Sequence, residues 1–78
     1  MEWRARPTMG MMACMRRLIA TGGRLVRMSE GGYRVLHRRS GLYWFPTQAV
    51  RGLINRGMVS DEGYLTPAGL AAYERYKE

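Results

Sequence analysis

Hydrophobic and polar positions follow two rhythms along this chain. In residues 9–21 the apolar side chains Met11, Cys14, Met15 and Leu18, with Ile19 at the edge, recur at three- and four-residue steps. That spacing gathers side chains on one helical face and predicts a helix over 9–21. Thr8 stands at its N-cap position, and Gly22-Gly23 supplies the left-handed stop. The methionine stripe reads as core filler, and Cys14 within it as a buried, unreactive thiol.

From residue 24 the period shortens. Arg24-Leu25-Val26-Arg27-Met28 and Tyr33-Arg34-Val35-Leu36-His37 flank Ser29-Glu30-Gly31-Gly32, which predicts a hairpin. Symmetric closure of a four-residue turn sets Met28 opposite Tyr33, Val26 opposite Val35 and Arg24 opposite His37. On the other face it sets Leu25 opposite Leu36 and Arg27 opposite Arg34, with Arg38 two residues beyond Leu36. Opposed arginines repel unless an anion lies over them or water screens them. A one-residue slip in register would exchange the faces.

The helical rhythm returns in 45–59. After Pro46-Thr47, Ala49, Val50, Leu53 and Ile54 share one face, and Gln48, Arg51, Gly52 and Asn55 the other, until Gly57 ends the element. Met58-Val59 and Tyr64-Leu65 then bracket a tight turn at 60–63. Thr66-Pro67 opens a last helix to about Tyr76, with Leu70, Tyr73 and Ala71 expected inside. One or two rings of Tyr43-Trp44-Phe45 are expected in the core. Residues 1–8 read as a flexible basic arm and 9–78 as one domain.

Composition changes this picture in one respect. The chain has 78 residues, 46% of them hydrophobic, which fits one small folded domain. Its net charge of +7 is uneven. Residues 3–60 hold eleven arginines and one acid, Glu30, whereas residues 61–78 hold four acids, Arg75 and Lys77. A GC-rich codon bias accounts for arginine over lysine, but not for missing acids. Such polarity favours a polyanionic partner.

Candidate chemistry is sparse. One cysteine and one histidine, His37, exclude an intrachain disulfide and a Cys/His metal site, and no cofactor motif is present. No nucleophile–base set, and no paired carboxylates outside a turn, suggest an enzyme. No apolar run reaches the roughly 18–20 residues that span a bilayer, so a cytoplasmic protein without a membrane role is expected. The face bearing Gln48, Arg51 and Asn55 is suited to base edges in a DNA major groove: Arg51 for guanine, Gln48 or Asn55 for adenine.

Asn55-Arg56-Gly57-Met58-Val59, a tight turn, and Tyr64-Leu65-Thr66-Pro67-Ala68-Gly69-Leu70 together resemble winged helix-turn-helix regulators. The resemblance covers roughly residues 45–76. It is to the C-terminal half of MarR-like and PadR-like proteins, and to very small winged-helix proteins of phages and mobile elements. It implies an α+β, winged-helix-like fold and a role in transcription regulation; with residues 24–37 read as strands, the order here becomes helix–hairpin–helix–hairpin–helix. Residues 47–56 would be the recognition helix on double-stranded DNA and 60–63 the tip of the wing.

Two departures qualify the resemblance. No helix directly precedes the recognition helix, and the wing tip carries Asp61-Glu62, which phosphates repel. Arg27, Arg34, Arg38, Arg39 and Arg56 are therefore expected to neutralise phosphates, and Gly52 to admit close approach to the groove. Trp3, Arg4 and Arg6 of the arm would follow the backbone or a minor groove. A second expectation is a phage-type inhibitor or adaptor that binds a protein complex, such as bacterial defence machinery. A third is a homodimer joined through the Met-rich first helix.

Overall fold

The computed structural model describes residues 6–36 and 44–77. The chain is a small α+β domain. Helix α1 (Met9–Thr21) leads into strands β1 (Arg24–Arg27), β2 (Tyr33–Leu36) and β3 (Trp44–Phe45), followed by helices α2 (Thr47–Asn55) and α3 (Pro67–Tyr76). The strands form one antiparallel sheet in the order β1-β2-β3.

The helix ends follow their local chemistry. Thr8 Oγ1 accepts the Met11 amide at 3.2 Å, and Thr66 Oγ1 accepts the Gly69 amide at 3.0 Å, so each threonine satisfies a free donor of a first turn. Gly22 closes α1 at φ 68°, its amide donating to the Leu18 carbonyl. Pro46 precedes α2 in an extended conformation with no side-chain cap.

The first hairpin departs from the expected register. The Gly31 amide donates to the Met28 carbonyl and the Met28 amide to the Gly32 carbonyl, both at 3.0 Å. Gly31 has φ 105°. This is a three-residue loop built on a type I turn, not a four-residue one. Arg27 therefore faces Tyr33, Val26 faces Arg34, Leu25 faces Val35 and Arg24 faces Leu36. The expected Arg27–Arg34 pair does not form, and the two arginines lie on opposite sides of the sheet.

β3 was not expected as a strand. Its two residues split by alternation. Phe45 packs against the core, whereas Trp44 stays outside at 54% exposure.

The core comprises Met11, Cys14, Met15, Leu18, Leu25, Val35, Val50, Leu53 and Val59, so α1, two strands, α2 and the segment after α2 all contribute. Burial pushes the Cys14 thiol up to about 12 from 9.0, because an apolar site disfavours the thiolate. Stability linked to this thiol is thus complete below pH 9 and falls as pH rises from there. In the folded chain Cys14 is expected to resist a thiol-specific disulfide reagent at pH 8, and to react fully once guanidinium unfolds it. Rapid reaction of the folded chain would contradict its placement.

Two inward faces differ from expectation. Gly52 does not face outward: a Cβ there would collide with the Met11 Cε, so its missing side chain lets α1 and α2 meet. On α3, Gly69 is buried and Leu70 is 43% exposed. A Cβ at Gly69 would strike the Met58 carbonyl, so this close approach turns the Gly69 side of α3 inward and Leu70 outward.

The second hairpin is minimal, with one bridge between Val59 and Leu65. Its tip does not project. The Leu25 amide donates to the Gly63 carbonyl at 2.9 Å, and Arg24 Nη1 to the Glu62 carbonyl at 3.5 Å. The acidic turn is thus tied to the free edge of β1, covering backbone groups that an edge strand otherwise leaves unpaired.

Candidate nucleic-acid interface

α2 is amphipathic because its apolar residues recur at helical spacing. Val50 and Leu53 are fully buried, and Ala49 and Ile54 pack partly against the core. This anchoring leaves Gln48, Arg51 and Asn55 exposed on the outer side, as expected.

The three-residue loop in the first hairpin decides what lies beside that face. It leaves Arg27 on the same side of the sheet as Leu25 and Val35, the side that packs against the helices, but at its exposed margin. Arg27 and Tyr33 from the hairpin, with Thr47, Arg51, Ile54 and Asn55 from α2, line one shallow depression. None of these residues is acidic. Thr47 also fastens helix to hairpin, its Oγ1 accepting the Gly32 amide at 3.1 Å. That bond crosses 15 positions of sequence and holds the start of α2 against the loop.

The expected site residues therefore separate. Arg51 and Asn55 meet Arg27 around the depression, and Gln48 is exposed on the same helix. Arg34 lies on the opposite side of the sheet, between Val26 and Trp44, so the expected stripe of Arg27 and Arg34 on one face is corrected. Arg38, Arg39 and His37 lie outside the described residues, as do Trp3 and Arg4. Arg6 is not part of a free arm: its guanidinium lies 5.5 Å from the Tyr76 ring centroid, and Pro7 beside it is buried.

Arg56 is turned inward. It caps α2 and is half-buried, and its Nη1 is enclosed without a hydrogen-bond partner. A guanidinium in that position is poorly placed to meet a phosphate, and leaving its N–H unsatisfied costs stability. Arg56→Met is expected to stabilise the fold by about 1 kcal/mol, raising Tm by about 4–8 °C. A lower Tm in the same melt would show that the group is satisfied as it stands.

Tyr33 and Thr47 are the members that sequence reasoning missed. Tyr33 belonged to the wrong cross-strand pair under the four-residue turn. Thr47 carried only the signal of a helix start.

Among the described residues, no helix is long and apolar enough to cross a membrane, and no group of three or more His, Cys, Asp or Glu side chains is placed to hold a metal ion. No protein-family model, curated protein or solved structure matches the chain.

Proposed function

We propose that this chain is a small winged-helix-like DNA-binding module that lays α2 in the major groove and acts in transcription regulation. The observation that carries this reading is the joining of Arg51 and Asn55 on α2 with Arg27 on β1 around one depression without a carboxylate. Gln48 lies exposed on the same helix. Arg51 and the two amides provide the donor and acceptor patterns that distinguish guanine and adenine edges. Arg27, held by the sheet and not by the helix, is positioned for the backbone beside the groove. Docking of the acidic turn against β1 supports the same reading, since Asp61 and Glu62 then belong to a folded edge and not to a probing wing.

A salt titration of duplex binding tests this proposal. Each phosphate neutralised on B-DNA contributes about −0.9 to the slope of log K against log salt, so two to four arginine contacts predict a slope of about −2 to −4. A folded sample that binds no duplex at low salt would refute the proposal.

A second reading rests on a different surface. Arg6, Met9, Met12, Arg16, Tyr73 and Tyr76 line a cleft between α1 and α3, on a flank other than the α2 face. This basic and apolar cleft suits an acidic protein partner, as an inhibitor or adaptor would require. Tight binding to a protein complex with no salt-dependent duplex binding would favour it.

A further inference from the structure

The outward face of the sheet carries a side chain that neither the core nor the α2 depression uses. Alternation places Arg24 and Val26 of β1, Arg34 and Leu36 of β2 and Trp44 of β3 on this side, away from Leu25 and Val35. The registers set Val26, Arg34 and Trp44 side by side across all three strands. Leu36 is exposed in the next position of β2.

Trp44 is exposed but not loose. Its Nε1–H donates to the Gly31 carbonyl at 3.2 Å. The ring lies so close over Gly32 that a Cβ there would collide with Nε1, Cε2 and Cζ2. Gly32 is in turn tied to Thr47 through its amide. A tryptophan whose polar end is already satisfied, and whose ring is held from below, has lost its rotamer freedom before any ligand arrives. An exposed aromatic fixed in this way stacks a partner at little entropic cost.

We propose that this sheet face binds single-stranded nucleic acid, with Trp44 stacking an unpaired base and Arg34 and Arg24 meeting the adjacent phosphates. The occupant follows from charge and shape together. Among the described residues, the outward strand positions combine an indole plane with two guanidinium groups and no acidic side chain, and Arg24 also donates to the Glu62 carbonyl at the β1 edge. Base–aromatic stacking flanked by cations is how single strands are held without regard to sequence. An apolar protein partner would not need both arginines, and a duplex offers no unstacked base to the ring. The proposal stands on residues other than those of the α2 reading.

The test uses Trp3→Phe protein, in which Trp44 is the one remaining indole. Titration with an oligo(dT) single strand is expected to quench its emission to saturation. In binding assays Trp44→Ala should weaken oligo(dT) about tenfold to a hundredfold, while Trp44→Phe, which keeps a ring, stays within a few-fold of the parent. Duplex affinity, measured on the same samples, should not change. If duplex binding is absent while quenching by oligo(dT) persists, the α2 reading falls and this one stands. Absence of quenching, or unchanged oligo(dT) affinity in folded Trp44→Ala, overturns it and leaves the face to a protein partner. Equal losses on duplex and single strand, with Trp44→Phe no better than Trp44→Ala, would also overturn it by making Trp44 a structural residue.

Discussion

Replacing Gly63 by alanine is expected to destabilise the fold by about 3–5 kcal/mol, because strain and a backbone collision coincide at one position. Gly63 has φ 100°, which L side chains rarely adopt, and a Cβ there would run into the carbonyl oxygen of Leu25. A backbone atom of a paired strand cannot swing aside as a side-chain terminus can. Relief requires undocking the turn at 60–63, which breaks the bond from the Leu25 amide to the Gly63 carbonyl and uncovers the edge of β1. For a domain of this size the loss is a large share of the total stability.

Gly57 provides the control. It has φ 73° but no neighbour within 4 Å of a Cβ, so Gly57→Ala should cost only the left-handed penalty of about 1–2 kcal/mol. Urea melts of both variants measure the difference. Equal losses would show that docking of the second hairpin adds nothing to the strain.

Arg51→Ala is the second large effect. On the best duplex selected from a randomised pool, it should cost about 1–3 kcal/mol and relax preference at one base position. Arg51 is exposed on a helix whose opposite side is fixed by Val50 and Leu53, so the change removes a contact without disturbing the core. Arg27→Ala should behave differently. It should weaken selected and random duplexes alike and make the salt slope shallower by about 0.9, as loss of one phosphate contact does. A variant pair that loses affinity in the same pattern would contradict the division between a helix that reads bases and a hairpin that anchors backbone.

The parts of the fold that could be read from the sequence are those decided within one or two turns of chain. Thr8 and Thr66-Pro67 mark helix starts because capping needs only neighbours, and the apolar stripe of α1 is legible because Met11, Cys14, Met15 and Leu18 keep helical spacing over about two turns. The outward Gln48, Arg51 and Asn55 follow from the same periodicity. Register was not legible, because Ser29-Glu30-Gly31-Gly32 supports a three- or a four-residue loop. The choice depends on whether Gly32 stays in the ladder, and Gly32 is fixed by Thr47, 15 residues away, and by the Trp44 ring. That single residue moved Arg34 away from Arg27 and brought Tyr33 opposite it.

Close approaches were hidden for a related reason. Gly52 reads as an outward position open to the groove and Gly69 as a neutral one, but the space beside them is filled by Met11 and the Met58 carbonyl. A pattern of hydrophobicity cannot register a residue whose contribution is the absence of atoms. Leu70 was assigned inward for the same reason: its neighbour Gly69 sets the rotation of α3. Trp44 and Phe45 are equally apolar in sequence, and only pairing with β2 sorts one outward and the other inward.

The central claim is that duplex DNA meets the outer face of α2 together with Arg27. Titrating the isotope-labelled chain with a short duplex at low salt, and following backbone amide shifts residue by residue, tests it directly. The predicted result is that the largest changes fall on Gln48, Arg51, Asn55 and Arg27, with the cleft between α1 and α3 unaffected. Changes confined to Met9, Met12, Tyr73 and Tyr76, or none at all from a folded sample, would contradict it.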